Sequence, residues 1–172
     1  MTGMCPLPLN CSDVYGELTV DGWTLHGPAW CAHDLSALYE SPDFRDANVL
    51  VETEEGQIAR PMVTDQTDYT LPMMFSGAVD RTGAAYTVPA GGLLANLRAL
   101  EARLIDPIRS GTADLSATLT VPDPMDPNED IVYTFDVQPL RLTWTLLPGG
   151  YARAVLNLRV PVPDFVVAGG GE

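Results

Sequence analysis

The sequence predicts a mainly β chain with one helix, an antiparallel β-sandwich or closed barrel with the helix on one side or end. Three observations predict it. Fifteen prolines and fifteen glycines are spread along 172 residues and cut the chain into short segments. Most segments alternate apolar and polar residues, the period of a strand with one buried face. One stretch alone, "GLLANLRALEARLI", changes to helical spacing.

The elements follow in order. Residues 14–27, "VYGELTVDGWTLHG", read as a hairpin. Leu18 and Val20 alternate with polar neighbours, Asp21-Gly22 is a two-residue turn, and Trp23-Thr24-Leu25 returns. "PAWCAHDL" continues as a strand or irregular edge, because Pro28 cannot donate to a ladder. A second hairpin spans residues 47–63. "ANVLVET" and "QIARPMV" flank the acidic connection "EEG", whose last-place glycine suits a bulged three-residue loop. Arg60-Pro61 ends its pairing or places it on an edge. Residues 68–79 form a long strand kinked at Pro72.

The helix is expected over residues 92–106. Leu93, Leu97, Leu100 and Leu104 make a stripe that Leu94 and Ile105 widen; Arg98, Glu101 and Arg103 take the opposite side, and Pro107 stops it. The stripe packs on a sheet. Residues 113–163 close the fold as a meander. Leu115, Ala117, Leu119 and Val121 form one inward row; Leu140, Leu142, Trp144 and Leu146 a second; Ala154, Leu156, Leu158 and Val160 a third. Residues 1–13 are an N-terminal arm and 164–172 a flexible tail, all within a single domain.

Net charge is −14, yet 46% of residues are hydrophobic. Such a chain builds a core, and its apolar content suggests a further face to bury in an assembly. The acidity argues against general nucleic-acid binding, which needs a basic face, and an acidic surface lets DNA slide past. All nine basic residues are arginine, as expected of a GC-rich genome. No secretory leader and no membrane span are evident, so folding in a reducing cytoplasm is expected.

Candidate chemistry is sparse. Cys5, Cys11 and Cys31 are odd in number and fit no common zinc spacing, so they are expected as buried free thiols. Cys31 and His33 would share a strand face, which strand periodicity explains without catalysis. No serine sits in a nucleophile-elbow context. Asp123, Asp126, Glu129 and Asp130 lack the spacing and central glycine of a calcium loop, and Pro124 and Pro127 restrict them. Neither catalytic residue, cofactor nor metal is expected. Trp23, Trp30, Trp144 and six tyrosines leave open a different class, a monomeric carbohydrate-binding or hydrolytic β-sandwich.

The order of elements resembles the distal tail protein of long-tailed bacteriophages and the related tail-tube proteins. The likeness runs from "LTVDGWTLHGPAWCAHDL" through "SPDFRDANVLVETEEGQIARP" and "YTLPMMFSGAVD" to "LLANLRALEARL" and the late meander. The family carries an Arg-Gly-x-Asn element before its second hairpin; here it reads Arg45-Asp46-Ala47-Asn48. The resemblance implies a tail-tube-type sandwich or barrel with a flanking helix and an extended hairpin. It implies a hexameric ring at the distal end of the tail tube, with the tube protein on one face and the tail hub or tip on the other. DNA would pass through without specific binding, and no membrane insertion is involved. The place would be the virion tail, assembled in the cytoplasm of a GC-rich bacterial host. Arg45, Asn48, Glu52, Glu54, Glu55, Gly56 and Arg60 would then contact a neighbouring subunit or line the channel. The major tail-tube subunit is the alternative within this class.

Overall fold

The computed structural model describes residues 5–12, 15–39, 44–45, 51–53, 56–58, 63–64, 67–112, 114–161 and 166–167. The expected early hairpin is present as β1 (Glu17–Val20) and β2 (Trp23–Thr24), with Val20 opposite Trp23. Asp21 and Gly22 both have positive φ, 48° and 76°, as a tight turn matched to strand twist requires. Next come β3 (Trp30–Ala32), a 3-10 turn (Ser36–Tyr39), β4 (Phe44–Arg45), β5 (Val51–Thr53), β6 (Gly56–Ile58) and β7 (Val63–Thr64). The long strand is β8 (Thr67–Ser76), followed by the helix α1 (Pro89–Arg109). The meander is β9 (Leu115–Pro122), β10 (Asp130–Leu147) and β11 (Tyr151–Val160), and β12 (Val166–Val167) comes last.

Seven strands form one antiparallel sheet in the order β2-β1-β9-β10-β11-β8-β3, with β12 beside β10. The sheet is open. Its end strands approach through one bridge, His26 to Cys31, and through hydrogen bonds from Gly27 N–H to Trp30 O and Ala32 N–H to Leu25 O. They form no ladder with each other. The mainly β, one-helix fold is therefore as expected, without closure into a barrel.

The core lies between the inner sheet face and α1. Leu18, Val20, Leu71, Met73, Phe75, Leu97, Leu100, Leu104, Leu156 and Leu158 are buried together. The expected helix stripe is the buried one, but Leu94 is half exposed and Asn96 joins the buried face. The helix also starts earlier and runs later than 92–106. Pro89 begins it, where a missing N–H costs nothing. Pro107 does not stop it. Termination falls to Gly111 at φ 100°, with Gly111 N–H bonded to Ile108 O and Thr112 N–H to Pro107 O. Those two bonds are the paired closure that a left-handed glycine permits.

The inward rows of β9 and β11 fall where alternation places them. The row of β10 does not. Its register shifts between Pro139 and Arg141, so one extra residue sits in the strand. Phe135, Val137 and Pro139 face inward before the shift; Leu142 does so after it. Leu140 is half-buried and Leu146 is 65% exposed, against the expectation of one continuous row. Proline explains the break, since it cannot donate to a ladder and is accommodated at bulges. β10 thereby carries β9 along its first half and β11 along its second. Within the expected flexible tail, Val166 and Val167 are paired with Thr134 and Tyr133.

One end of β8 is locked to the helix. A Cβ on Gly77 would lie 2.0 Å from the Pro89 carbonyl oxygen, and one on Gly92 would lie 2.4 Å from the Tyr86 ring. Only glycines let these backbones meet. Beside them Asn96, 2% exposed, donates through Nδ2 to Ser76 O and Val79 O, both at 2.8 Å. The Ser76 hydroxyl donates to Leu7 O at 2.7 Å, which ties the N-terminal segment to the same point.

Candidate functional site

The second hairpin is present with a different tip. Thr53 pairs with Gly56, Glu52 with Gln57 and Val51 with Ile58, so two residues connect the strands rather than three. Gly56 thus belongs to the ladder and not to a bulged loop. A second ladder pairs Phe44 with Thr64 and Arg45 with Val63. Five residues (46–50) separate the ladders on one strand and four (59–62) on the other, so they are out of step by one residue. Of the expected interface residues, the structure places Arg45 in the basal ladder and Glu52 and Gly56 in the distal one. Asn48, Glu54, Glu55 and Arg60 lie outside the described residues.

The hairpin leads into β8, two residues beyond β7. Here the structure supplies a site that sequence reading missed. β11 pairs with β8 along its whole length, from Thr67 to Ser76, but β3 covers only Met73 to Phe75 on the other side. Ser76 N–H donates to Ala29 O, toward the β3 side. Backbone groups alternate in an antiparallel strand, so Asp68 and Thr70 turn their N–H groups to that side too. Among the described residues no strand pairs there with residues 67–72. Pro72 has the same parity, so its missing N–H falls on the β3 side and interrupts no bond of the β11 ladder. Pairing passes through Pro72 without a shift in register, where a kink had been expected. A proline in phase with outward-facing residues of a long strand was the available signal of a free edge.

The outer face next to this edge is pinned by charge. Arg159 lies directly opposite Asp68 and grips it with two hydrogen bonds, Nε to Oδ1 at 2.7 Å and Nη2 to Oδ2 at 3.0 Å. The Arg159 bond and charge hold the Asp68 carboxyl below its ordinary pKa. Asp80 is likewise lowered, first by the Thr82 hydroxyl and then by backbone N–H groups led by that of Ala84.

The other candidates resolve as structure. Cys11 and Cys31 form a disulfide, with Cα atoms 5.6 Å apart, which corrects the expectation of free thiols. Cys5 is free but exposed. The bonded Cys31 sulfur is thus no thiolate partner for His33. In the acidic loop, Asp123 accepts from Met125 N–H and Asp126 from Asn128 N–H, so these carboxylates cap turns. Among the described residues, no group of three or more His, Cys, Asp or Glu is placed to hold a metal ion. Beside this loop Leu38, Tyr39, Val121, Pro124, Ile131 and Tyr133 line an apolar groove of about 370 Å³.

The tryptophans do not make an open stacking platform. Trp30 is buried between Trp23 and Phe75. Trp23 carries Arg81 and Arg103 within 4.6 and 5.3 Å of its ring centre, and Arg98 sits 5.5 Å from that of Trp144. Arg103 also donates to Asp21 O at 2.7 Å, so it links α1 to the first hairpin turn.

Comparison with protein-family models, curated proteins and solved structures gave no match for this chain.

Proposed function

We propose that the chain is a structural subunit of a phage tail, forming the ring at the distal end of the tail tube. The observation that carries this reading is that no described strand pairs with residues 67–72 of β8 on the β3 side, next to the two ladders of residues 44–64. An unpaired strand edge is a template for another chain, and a closed ring hides it by pairing each copy with the next. The order hairpin, second hairpin, long strand, helix and meander is the order that the tail-protein resemblance implies, and it supports the same reading. In a ring, the open sheet would continue from subunit to subunit around the channel, as the tail-tube type of sandwich or barrel does. The −14 charge suits a lumen through which DNA passes without sticking.

The act of such a protein is assembly, with the tube on one face and the hub on the other. Arg45, Glu52 and Gly56, with Asn48, Glu54, Glu55 and Arg60, contribute contacts or channel lining. Negative-stain microscopy of the purified chain tests this directly. Discrete six-fold rings with a central hole are expected; spontaneous long tubes would make it the tube subunit instead. A monomer with affinity for a cell-wall glycan would reject both.

A further inference from the structure

We infer that the Cys11–Cys31 bond is a redox clasp that fastens the N-terminal arm, residues 5–12, over one end of the sheet. The inference stands independently of the tail reading.

The two sulfurs sit in unequal surroundings. Cys31 is on β3, paired with Met74 and bridged to His26, and is 6% exposed. Cys11 is on an irregular segment and only half-buried. The arm has few other holds. Leu7 N–H donates to the Tyr151 hydroxyl, the Ser76 hydroxyl donates to Leu7 O, and Leu9 N–H donates to Pro28 O. Pro6 is buried and packs on Gly150, where an added Cβ would lie 3.0 Å from the proline ring. Among the described residues, three hydrogen bonds and the packing of Pro6 hold these eight residues, each of which gives up backbone freedom. The covalent link across 20 residues supplies the remaining restraint. The sheet's own ladders do not pass through the arm, so the body keeps its pairing when the link opens.

The chemistry is thiol–disulfide exchange with a small monothiol or dithiol. A thiolate attacks the accessible Cys11 sulfur, and Cys31 leaves as a thiolate that takes up a proton. A second thiol attacks the mixed disulfide and frees Cys11, so two thiols become one disulfide as two electrons enter the protein. A small-molecule disulfide runs the same steps backwards and closes the clasp. In a reducing compartment the arm is open; in an oxidising one it is fastened.

The test uses the full chain carrying Cys5→Ser, so that one cysteine pair remains. Intact mass reads the bond after oxidised or reduced dithiothreitol, and hydrogen–deuterium exchange reads the arm. Reduction should speed exchange at Leu7 and Leu9 at least tenfold and leave β8 to β11 unchanged. A Cys11→Ser variant should match the reduced protein in both redox buffers. Three results would overturn the clasp: no bond under oxidising conditions, an arm whose protection ignores reduction, or loss of protection throughout β8 to β11. Should the Cys11→Ser variant fail to fold, reduction and reoxidation of the Cys5→Ser chain decide alone.

Discussion

The two ends of β8 are built on opposite plans. At Ser76 the strand is closed by its own chain: β3 on one side, β11 on the other, Asn96 bonded to its last carbonyl, and Gly77 pressed against the start of α1. Toward Thr67 the strand keeps β11, no described strand pairs with residues 67–72 on the other side, and the β4–β7 ladder comes just before it in the chain. Local closure makes a stable body, and the other end lacks a described strand on its β3 side.

Breaking the closed end should cost most. Gly77→Ala places a methyl group against the Pro89 carbonyl oxygen, so α1 must shift or detach. Backbone does not yield as a side chain does, and a loss of about 3 kcal/mol or more is expected from chemical denaturation. Asn96→Ala comes next. It strands two buried carbonyls, at Ser76 and Val79, for a loss of roughly 2–3 kcal/mol in the same measurement.

At the open end the pattern reverses. Thr70→Pro removes an N–H that faces the β3 side, where no described strand pairs, and leaves the β11 ladder whole. Stability of the single chain should fall by only about 1 kcal/mol, while ring formation, followed by light scattering on a sizing column, should disappear. Equal damage to both would mean that this edge is already covered within the chain.

The smallest effect concerns acid. Asp68 has a folded pKa below its unfolded one, so its pairing with Arg159 adds stability above the ordinary carboxylate range. That stability is lost as pH falls through the lowered value. The Asp68 side chain is more than half exposed, which limits the contribution to about 0.5 kcal/mol. Asp68→Asn should lower stability at pH 7 by that amount, and the difference should shrink as pH falls below the ordinary carboxylate range, as unfolding curves across that range would show.

Much of the body was legible because single-strand patterns carried it. The Leu93, Leu97, Leu100 and Leu104 stripe, the Asp21-Gly22 turn and the β11 alternation each follow from local spacing. The departures arise where a proline's meaning depends on tertiary context. Pro107 is tolerated in the last helical turn because Gly111 supplies the stop, Pro139 flips the inward phase of β10, and Pro72 marks an edge. The Cys11–Cys31 pair was invisible for another reason: three cysteines permit three pairings, and only the fold brings two together. For the candidate site, the hairpin was legible but the short reach of β3 along β8 was not, since strand pairing is set by tertiary context.

The central claim is that residues 67–72 of β8 pair, on their β3 side, with another copy of the chain. Negative-stain images of wild-type protein beside Thr70→Pro test it most directly. The account predicts six-fold rings for the wild type and folded single subunits for the variant. Wild-type protein that stays monomeric at every concentration, or a variant that still forms rings, would contradict it.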